Sequence, residues 1–298
     1  MNVYKICRVC LTEFSRWKKE YKLLVILLLL YLYLDRYNGM IFYVAEQLEY
    51  PVTPWAFPLL MAAPRVRLVV YIGAILYFSN VSSEHPFGRY QLLRCGRTNY
   101  LFGKMLYIML ASLLYIGAVI LLVIVPHVNQ IYWSADWGKV LGSCSYQKAI
   151  RDFYTGSSRN NWQYVIEFYT PASAMGYSIL LTWMSLCMIG LCMFFINSVK
   201  GKVYGILAGS VLVTADFLTE MISKTWLRGY LSFCSPITWS NLAYLRNNGK
   251  IWLERFPSLA YGLAAGGIVI FLLMLLIWIC MWVSYRTGSR HNAFRLMV

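Results

Sequence analysis

The stretch SSEHPFGRYQLLRCGRTNYLFGKMLYIM, residues 82–109, lies between two long apolar runs and contains four basic residues. Within it, Pro86 suits the first turn of a helix, and Gly96 suits the position just after a helix C terminus. Thr98 or Asn99 can then cap the next helix. The stretch therefore predicts a short helix, a glycine turn and a second, apolar helix. Its role depends on the class of protein in which it occurs.

The composition of the whole chain indicates a membrane protein. The 298 residues have a mean hydropathy of +0.55, with 59% hydrophobic and 13% charged residues, whereas soluble domains are about 25% charged. A membrane-spanning helix needs about 20 mostly apolar residues. The predicted fold is therefore an all-α membrane protein. Five segments meet the length requirement directly: 59–80, 100–125, 171–197, 203–222 and 258–284.

A sixth span, the first in the chain, is predicted over residues 21–44. Its apolar centre, Leu23–Leu34, is only 12 residues long, but snorkelling of Lys22 and the flanking aromatic residues can extend it. The alternative is a cleaved signal peptide, which requires a small-residue cleavage site. The following sequence, YLYLDRYNG, offers none. We therefore predict six spans in a single transmembrane domain over residues 1–298.

The loop charges predict the orientation of these spans. The segments on the side of both termini hold 15 Lys and Arg with three acidic residues, and the opposite side holds 12 with seven acidic residues. Short, basic loops stay in the cytoplasm, so we predict a multi-pass cell-membrane protein with both termini cytoplasmic. The net charge of +15 is divided among separate loops in this pattern, which argues against nucleic acid as a partner.

Residues 1–20 are predicted to form a basic amphipathic helix before the first span. Such a helix lies flat at the cytoplasmic interface with its basic residues near anionic head groups, so membrane lipid is an expected partner. The alternative is a helix packed against soluble protein. The apolar positions recur at helical spacing: Val3, Ile6, Cys7, Cys10, Leu11, Phe14 and Trp17.

Two longer segments fall on the external side. Residues 126–170 are predicted to form an aromatic-rich external segment. It contains an irregular loop at FYTGSSRNNWQ, residues 153–163. Residues 223–257 are moderately apolar but interrupted by a glycine and a proline, which favours a broken, re-entrant element. Irregular backbone at membrane depth must be buried in protein or line water. Cys144 and Cys234 lie in these two segments, where a disulfide between them is one alternative.

The opening stretch falls on the cytoplasmic side of this topology. A helical wheel over residues 82–99 and the following turn is not cleanly amphipathic, because Leu93 and Tyr100 fall among the basic residues. This pattern is poorly suited to a helix that lies on a membrane surface. It is better explained by a helix that another protein binds in the cytoplasm.

The layout of the chain and one motif resemble ABC-2-type permeases, the membrane subunits of bacterial ABC exporters. The string LLRCGRTNYLFGKMLYIMLASLLY is similar to the R-x-G-R…GK-x-LY run of these permeases. The resemblance implies two partners: a cytoplasmic ABC ATPase subunit, which binds ATP and Mg²⁺, and a second permease subunit. It assigns five residues to the ATPase-coupling helix and its junction with the third span: Arg94, Gly96, Arg97, Gly103 and Lys104.

The chain itself is expected to bind no cofactor and to catalyse no reaction. It has no GxxxxGK[ST] motif, so Gly103 and Lys104 are not part of a P-loop. The resemblance implies ATP-driven export of a peptide, a drug or a lipid-like amphiphile. The alternatives are a non-transporting multi-pass immunity or sensor protein and an intramembrane enzyme. The enzyme is the weaker of these, because HExxH and GxSxG are absent and His85, His127 and His291 lie in separate loops that favour no metal site.

Charged residues within the predicted spans suggest a substrate pathway. Asp216 and Glu220 are four residues apart and share one face of the fifth span. Intramembrane carboxylates are costly and usually face a pathway, so the pair could receive a cationic substrate. The alternative is a solvated position at the outer end, with Glu220 paired to Lys224. Arg65 and Arg67 come early in the second span, and we expect both to snorkel outward, with a water-lined position as the alternative.

Overall fold

The computed structural model describes residues 2–19, 21–81, 86–146, 161–222, 225–245 and 256–286. Within these ranges the chain is helical and contains no strand, only an isolated bridge between Val52 and Ile131. Short 3-10 segments cover Arg16–Lys19, Val125–Gln130 and Thr238–Ser240. The α-helices are α1 (Val3–Ser15), α2 (Lys22–Leu48), α3 (Ala56–Ala62), α4 (Pro64–Phe78), α5 (Pro86–Cys95), α6 (Arg97–Ile124), α7 (Gly138–Tyr146), α8 (Asn161–Phe168), α9 (Pro171–Lys200), α10 (Lys202–Met221), α11 (Thr225–Cys234) and α12 (Leu259–Arg286).

In the described ranges, five helices are long and apolar enough to cross a membrane. At 1.5 Å per residue, a helix of about 20 residues spans the hydrocarbon core, and each of the five contains at least 20 residues. The chain is therefore an all-α, multi-pass membrane protein. The five stretches are Lys22–Leu48, Arg97–Gln130, Pro171–Lys200, Lys202–Met221 and Leu259–Cys280.

The predicted span over residues 59–80 is not one continuous helix. It divides into α3 and α4, which meet at a bend of 91°. The cause is Pro64, whose ring disfavours helical geometry in the preceding residue, and Ala63 accordingly has a ψ of 120°. Within the described ranges, a sixth crossing exists only if this bent pair counts as one span, so the six-span arrangement remains a prediction.

Helix α9 lies at the centre of the bundle. Its most apolar 18-residue window is 67% buried, against 11% for α12 at the edge. Close approach to α6 depends on Gly190, where a Cβ atom would lie 2.6 Å from Ile108. Helix α10 folds back on α9 through Gly201, whose φ of 107° requires glycine. The exposed apolar residues of α12 then face outward, as contact with lipid requires.

The two predicted external elements are described in part. Residues 126–170 contain α7 and α8, whereas most of the predicted irregular loop lies outside the described residues. The segment 223–257 contains α11 and the 3-10 turn, so its described part is a broken helical element. Cys144 is buried and Cys234 is exposed, and both are free thiols.

Helix α1 packs against the beginning of α6. The predicted apolar stripe divides between two environments, because Ile6 and Cys10 are buried against protein while Cys7 and Leu11 stay exposed. The crossing is close at Gly103, where an added Cβ would lie 2.7 Å from Val9 Cβ. The N-terminal helix is therefore partly a protein-packed helix and partly an exposed one.

We expect Gly103→Ala to separate α1 from α6. The new methyl group overlaps Val9 and lies only 3.0 Å from the backbone oxygen of Ile6, and overpacking of this kind costs about 1–3 kcal/mol. Thermal unfolding in detergent should show a lower midpoint for this variant. The control is Gly117→Ala in the same helix, where nothing lies within 4 Å of the added atom. Equal midpoints for the two variants would contradict the packing of α1 on α6.

Candidate functional site

A buried ionic cluster joins α4 to α10. The Arg67 Nε atom lies 3.0 Å from Asp216 Oδ2, and Arg67 Nη2 lies 3.2 Å from Asp216 Oδ1. The same Nη2 also forms an ion pair with Glu220 Oε1. The three side chains are almost fully buried, at 0%, 3% and 2% exposure respectively. A guanidinium that binds two carboxylates in this way is strongly held, because its planar fork matches their geometry.

Neutral side chains complete the cluster from the broken element. Thr238 donates to Asp216 Oδ1 at 2.8 Å, and Asn241 Nδ2 donates to Glu220 Oε1 at 2.9 Å. The last Arg67 nitrogen, Nη1, donates to the backbone oxygen of Met61 at the C terminus of α3. A helix C terminus carries partial negative charge, so this contact also favours the guanidinium. The cluster therefore ties together α3, α4, α10 and the 3-10 turn.

The positions of the intramembrane charges in the structure differ from those predicted from the sequence. Arg65 is exposed, but Arg67 is fully buried, so the expectation that both snorkel outward is wrong for Arg67. Asp216 and Glu220 are not solvated, and Lys224, the expected partner of Glu220, lies outside the described residues. The acidic pair binds a cation of the chain itself. A role for Asp216 and Glu220 in a substrate pathway remains a prediction.

The sequence does contain an indication that Arg67 is buried, although hydrophobic periodicity alone does not reveal it. Two carboxylates on one face of an apolar helix need a buried cation, since uncompensated charges in a low-dielectric interior are costly. Arg67 lies in a stretch that is otherwise apolar, only three residues after Pro64. The bend at Ala63 turns α4 into the bundle, and sequence spacing does not predict the direction of such a bend.

The five residues assigned by the resemblance divide into two groups. Arg94, Gly96 and Arg97 are exposed at the turn between α5 and α6, and Gly96 has the φ of 82° that favours glycine. Gly103 and Lys104 instead lie inside, beneath α1. The structure therefore brings the first three together at the surface and gives the other two internal packing positions.

Lys104 fastens α1 to the rest of the protein. Its Nζ atom lies 2.9 Å from Glu13 Oε1 and donates to the backbone oxygen of Val81 at 2.9 Å. Arg16 lies 3.0 Å from the other oxygen of Glu13, and Trp17 donates to Tyr107 Oη at 2.9 Å. These contacts hold the end of α1 against α6 through paired charges and a hydrogen bond.

Nothing in the described ranges forms a metal centre. No group of three or more His, Cys, Asp or Glu side chains is close enough there to hold an ion. Burial raises the pKa of the Cys10 thiol to about 11, with smaller contributions from Cys7 and Glu13, and burial also raises the pKa of Cys144 to about 11. Both thiols are therefore protonated and unreactive near neutral pH.

Comparisons of the chain with known protein families, with curated proteins and with solved structures find no match. The fold and the contacts described above therefore carry the functional argument.

We expect Arg67→Met to destabilise the protein strongly. The substitution leaves two buried carboxylates without their guanidinium, and breaking a buried ion pair from one side costs about 3–5 kcal/mol. The matched control is Arg65→Met, which removes an exposed arginine two residues away on the same helix and should change stability by less than about 1 kcal/mol. Unfolding in detergent measures both. Similar losses for the two variants would contradict a structural role for Arg67.

Proposed function

We propose that the chain is the membrane-spanning permease subunit of an ATP-driven ABC transporter. A separate cytoplasmic ATPase would bind ATP and Mg²⁺ and drive it, and a second permease subunit would complete the pathway. The observation that carries this proposal is the surface of α5. On this short helix, Leu93 is 82% exposed and Tyr90 is 70% exposed. Both lie next to the basic residues Arg94 and Arg97.

The attachment of α5 supports transmission of force to the bundle. Only Gly96 separates α5 from α6, and the Cys95 backbone oxygen accepts a hydrogen bond from Asn99 Nδ2 at 2.8 Å. Movement of α5 by a bound ATPase would therefore pass directly to a helix long enough to span the membrane. Because α1 is fastened to α6 through Lys104, α1 would move with it.

An aromatic cleft near the outer ends of the helices supports an amphiphilic substrate. Its volume is about 570 Å³, which is within the range of small-molecule sites. None of the described residues that line it carries a charge, so its chemistry suits the apolar part of a peptide, a drug or a lipid-like molecule. The aromatic residues on its walls are Tyr164, Phe168, Tyr169 and Tyr177.

We expect Leu93→Asp combined with Arg97→Glu to abolish ATPase binding. The double substitution places negative charge on the exposed face of α5, and charge reversal at a protein contact costs several kcal/mol. Affinity purification of the tagged chain from its native membranes, followed by an ATPase assay, measures the association. Lys200→Glu with Lys202→Glu, at two exposed residues of the α9–α10 turn, is the control and should retain the ATPase.

Two results would contradict this proposal. The first is recovery of the ATPase at wild-type level with the α5 variant. The second is the absence of any ATPase from the wild-type preparation, which would favour a non-transporting immunity or sensor protein.

Thiol labelling tests the predicted cytoplasmic position of the N terminus. Cys7 is exposed and Cys234 is exposed, but we expect them on opposite sides of the membrane. A membrane-impermeant maleimide added to intact cells should label Cys234, and Cys7 should react only after permeabilisation. Cys10 is buried and its thiol pKa is raised by that burial, so it should react more slowly than Cys7 after permeabilisation. Labelling of Cys7 in intact cells would overturn the orientation.

A further inference from the structure

A basic groove lies between α1 and α5. It shares Tyr90 and Arg94 with the α5 surface proposed for the ATPase, whereas Leu93 and Arg97 are not among its lining residues. Its volume is about 480 Å³. Both helices contribute cations to it, and aromatic rings lie at its sides. The residues that argue for a ligand are Tyr4, Lys5, Arg8, Tyr90, Gln91 and Arg94.

Among the described residues, the cations of this groove have no acidic partner. Lys5, Arg8 and Arg94 form no ion pair with any carboxylate in the described part of the chain. The nearest acidic residue along α1, Glu13, is already bound to Lys104 and Arg16. Three like charges that line one cavity repel one another unless an anion enters. The groove is therefore electrostatically complementary to an anionic group.

The surroundings of the groove indicate where the anion comes from. On α1, Val3, Tyr4 and Leu11 are each at least two-thirds exposed, which is unfavourable in water but suits the boundary between head groups and acyl chains. Helix α1 also leads within a few residues into α2, a helix long enough to span a membrane. An anion in the groove would thus lie at the depth of lipid head groups, with acyl chains able to cover the exposed face of α1.

We propose that the groove binds the phosphate head group of an anionic phospholipid. Lys5 and Arg8 from α1 and Arg94 from α5 contact the phosphate, Gln91 supplies a hydrogen bond to the head group, and the acyl chains lie along Val3 and Leu11. One lipid then bridges α1 and α5. The proposal does not depend on the ATPase, and it adds lipid composition as a condition on the position of α5.

The test is native mass spectrometry of the full-length protein in detergent, titrated with phosphatidylglycerol or with phosphatidylcholine of the same chain length. The wild type should bind phosphatidylglycerol more tightly than phosphatidylcholine. Lys5→Glu with Arg8→Glu should weaken that binding at least about tenfold, because each basic residue near a lipid surface contributes on the order of 1 kcal/mol. Lys200→Glu with Lys202→Glu carries the same charge change outside the groove and should bind as the wild type does.

Three results would overturn the proposal. One is unchanged phosphatidylglycerol binding by the Lys5 and Arg8 variant. Another is displacement of the lipid by millimolar inorganic phosphate, which would identify a site for free phosphate. The third is loss of ATPase co-purification from that variant with lipid binding intact, which would identify a protein contact. The Leu93 and Arg97 variant separates the two proposals, since it should lose the ATPase and keep the lipid.

Discussion

A guanidinium buried in an apolar helical bundle needs carboxylates within hydrogen-bond distance, and the positions of α4 and α10 follow from that requirement. Arg67 forms ion pairs with both Asp216 and Glu220. These contacts fix the rotation of α4 and of α10 about their own axes. The Met61 backbone oxygen then fixes the end of α3, and Thr238 and Asn241 hold the broken element from the other side. A single cation thus connects four elements of the bundle.

The bend at Ala63 and the buried cluster explain each other. A straight helix through residues 59–80 would present Arg67 to lipid or to the head groups, where an arginine snorkels at little cost. The 91° bend instead carries Arg67 into the protein, where its burial is tolerable only with the two carboxylates in place. Pro64 causes the bend, and the ionic cluster stabilises it.

At the other end of the molecule, paired charges organise the region that we propose contacts partners. Glu13 and Lys104 fasten α1 to α6, and Gly103 permits the close crossing. Helix α5 is attached to the same helix through Gly96. The consequence is a unit in which α1 and α5 flank the beginning of α6 and enclose a basic groove. In this account, lipid and ATPase act on neighbouring surfaces of one unit, and both act on α6.

The sequence predicts the helical class and the positions of most long helices, because hydrophobic length and caps are local properties. Gly96 was correctly placed at the turn after α5, since glycine alone fits a positive φ without strain. The burial of Arg67 was missed, because it depends on residues that are 149 and 153 positions away. The bend has a local cause in Pro64, but its direction depends on how α4 packs in the bundle. The division of the α1 stripe was missed for the same reason: α6 covers one side of it, and spacing within α1 carries no information about α6.

The coupling free energy between Arg67 and the acidic pair measures how far this cluster holds the fold together. A double-mutant cycle combines Arg67→Met with Asp216→Asn plus Glu220→Gln, and each set is measured by unfolding in one detergent. The account predicts that the combined variant is more stable than the sum of the separate losses implies, by at least about 2 kcal/mol. Additive losses, with a coupling below about 0.5 kcal/mol, would contradict the view that this buried cation holds the fold together.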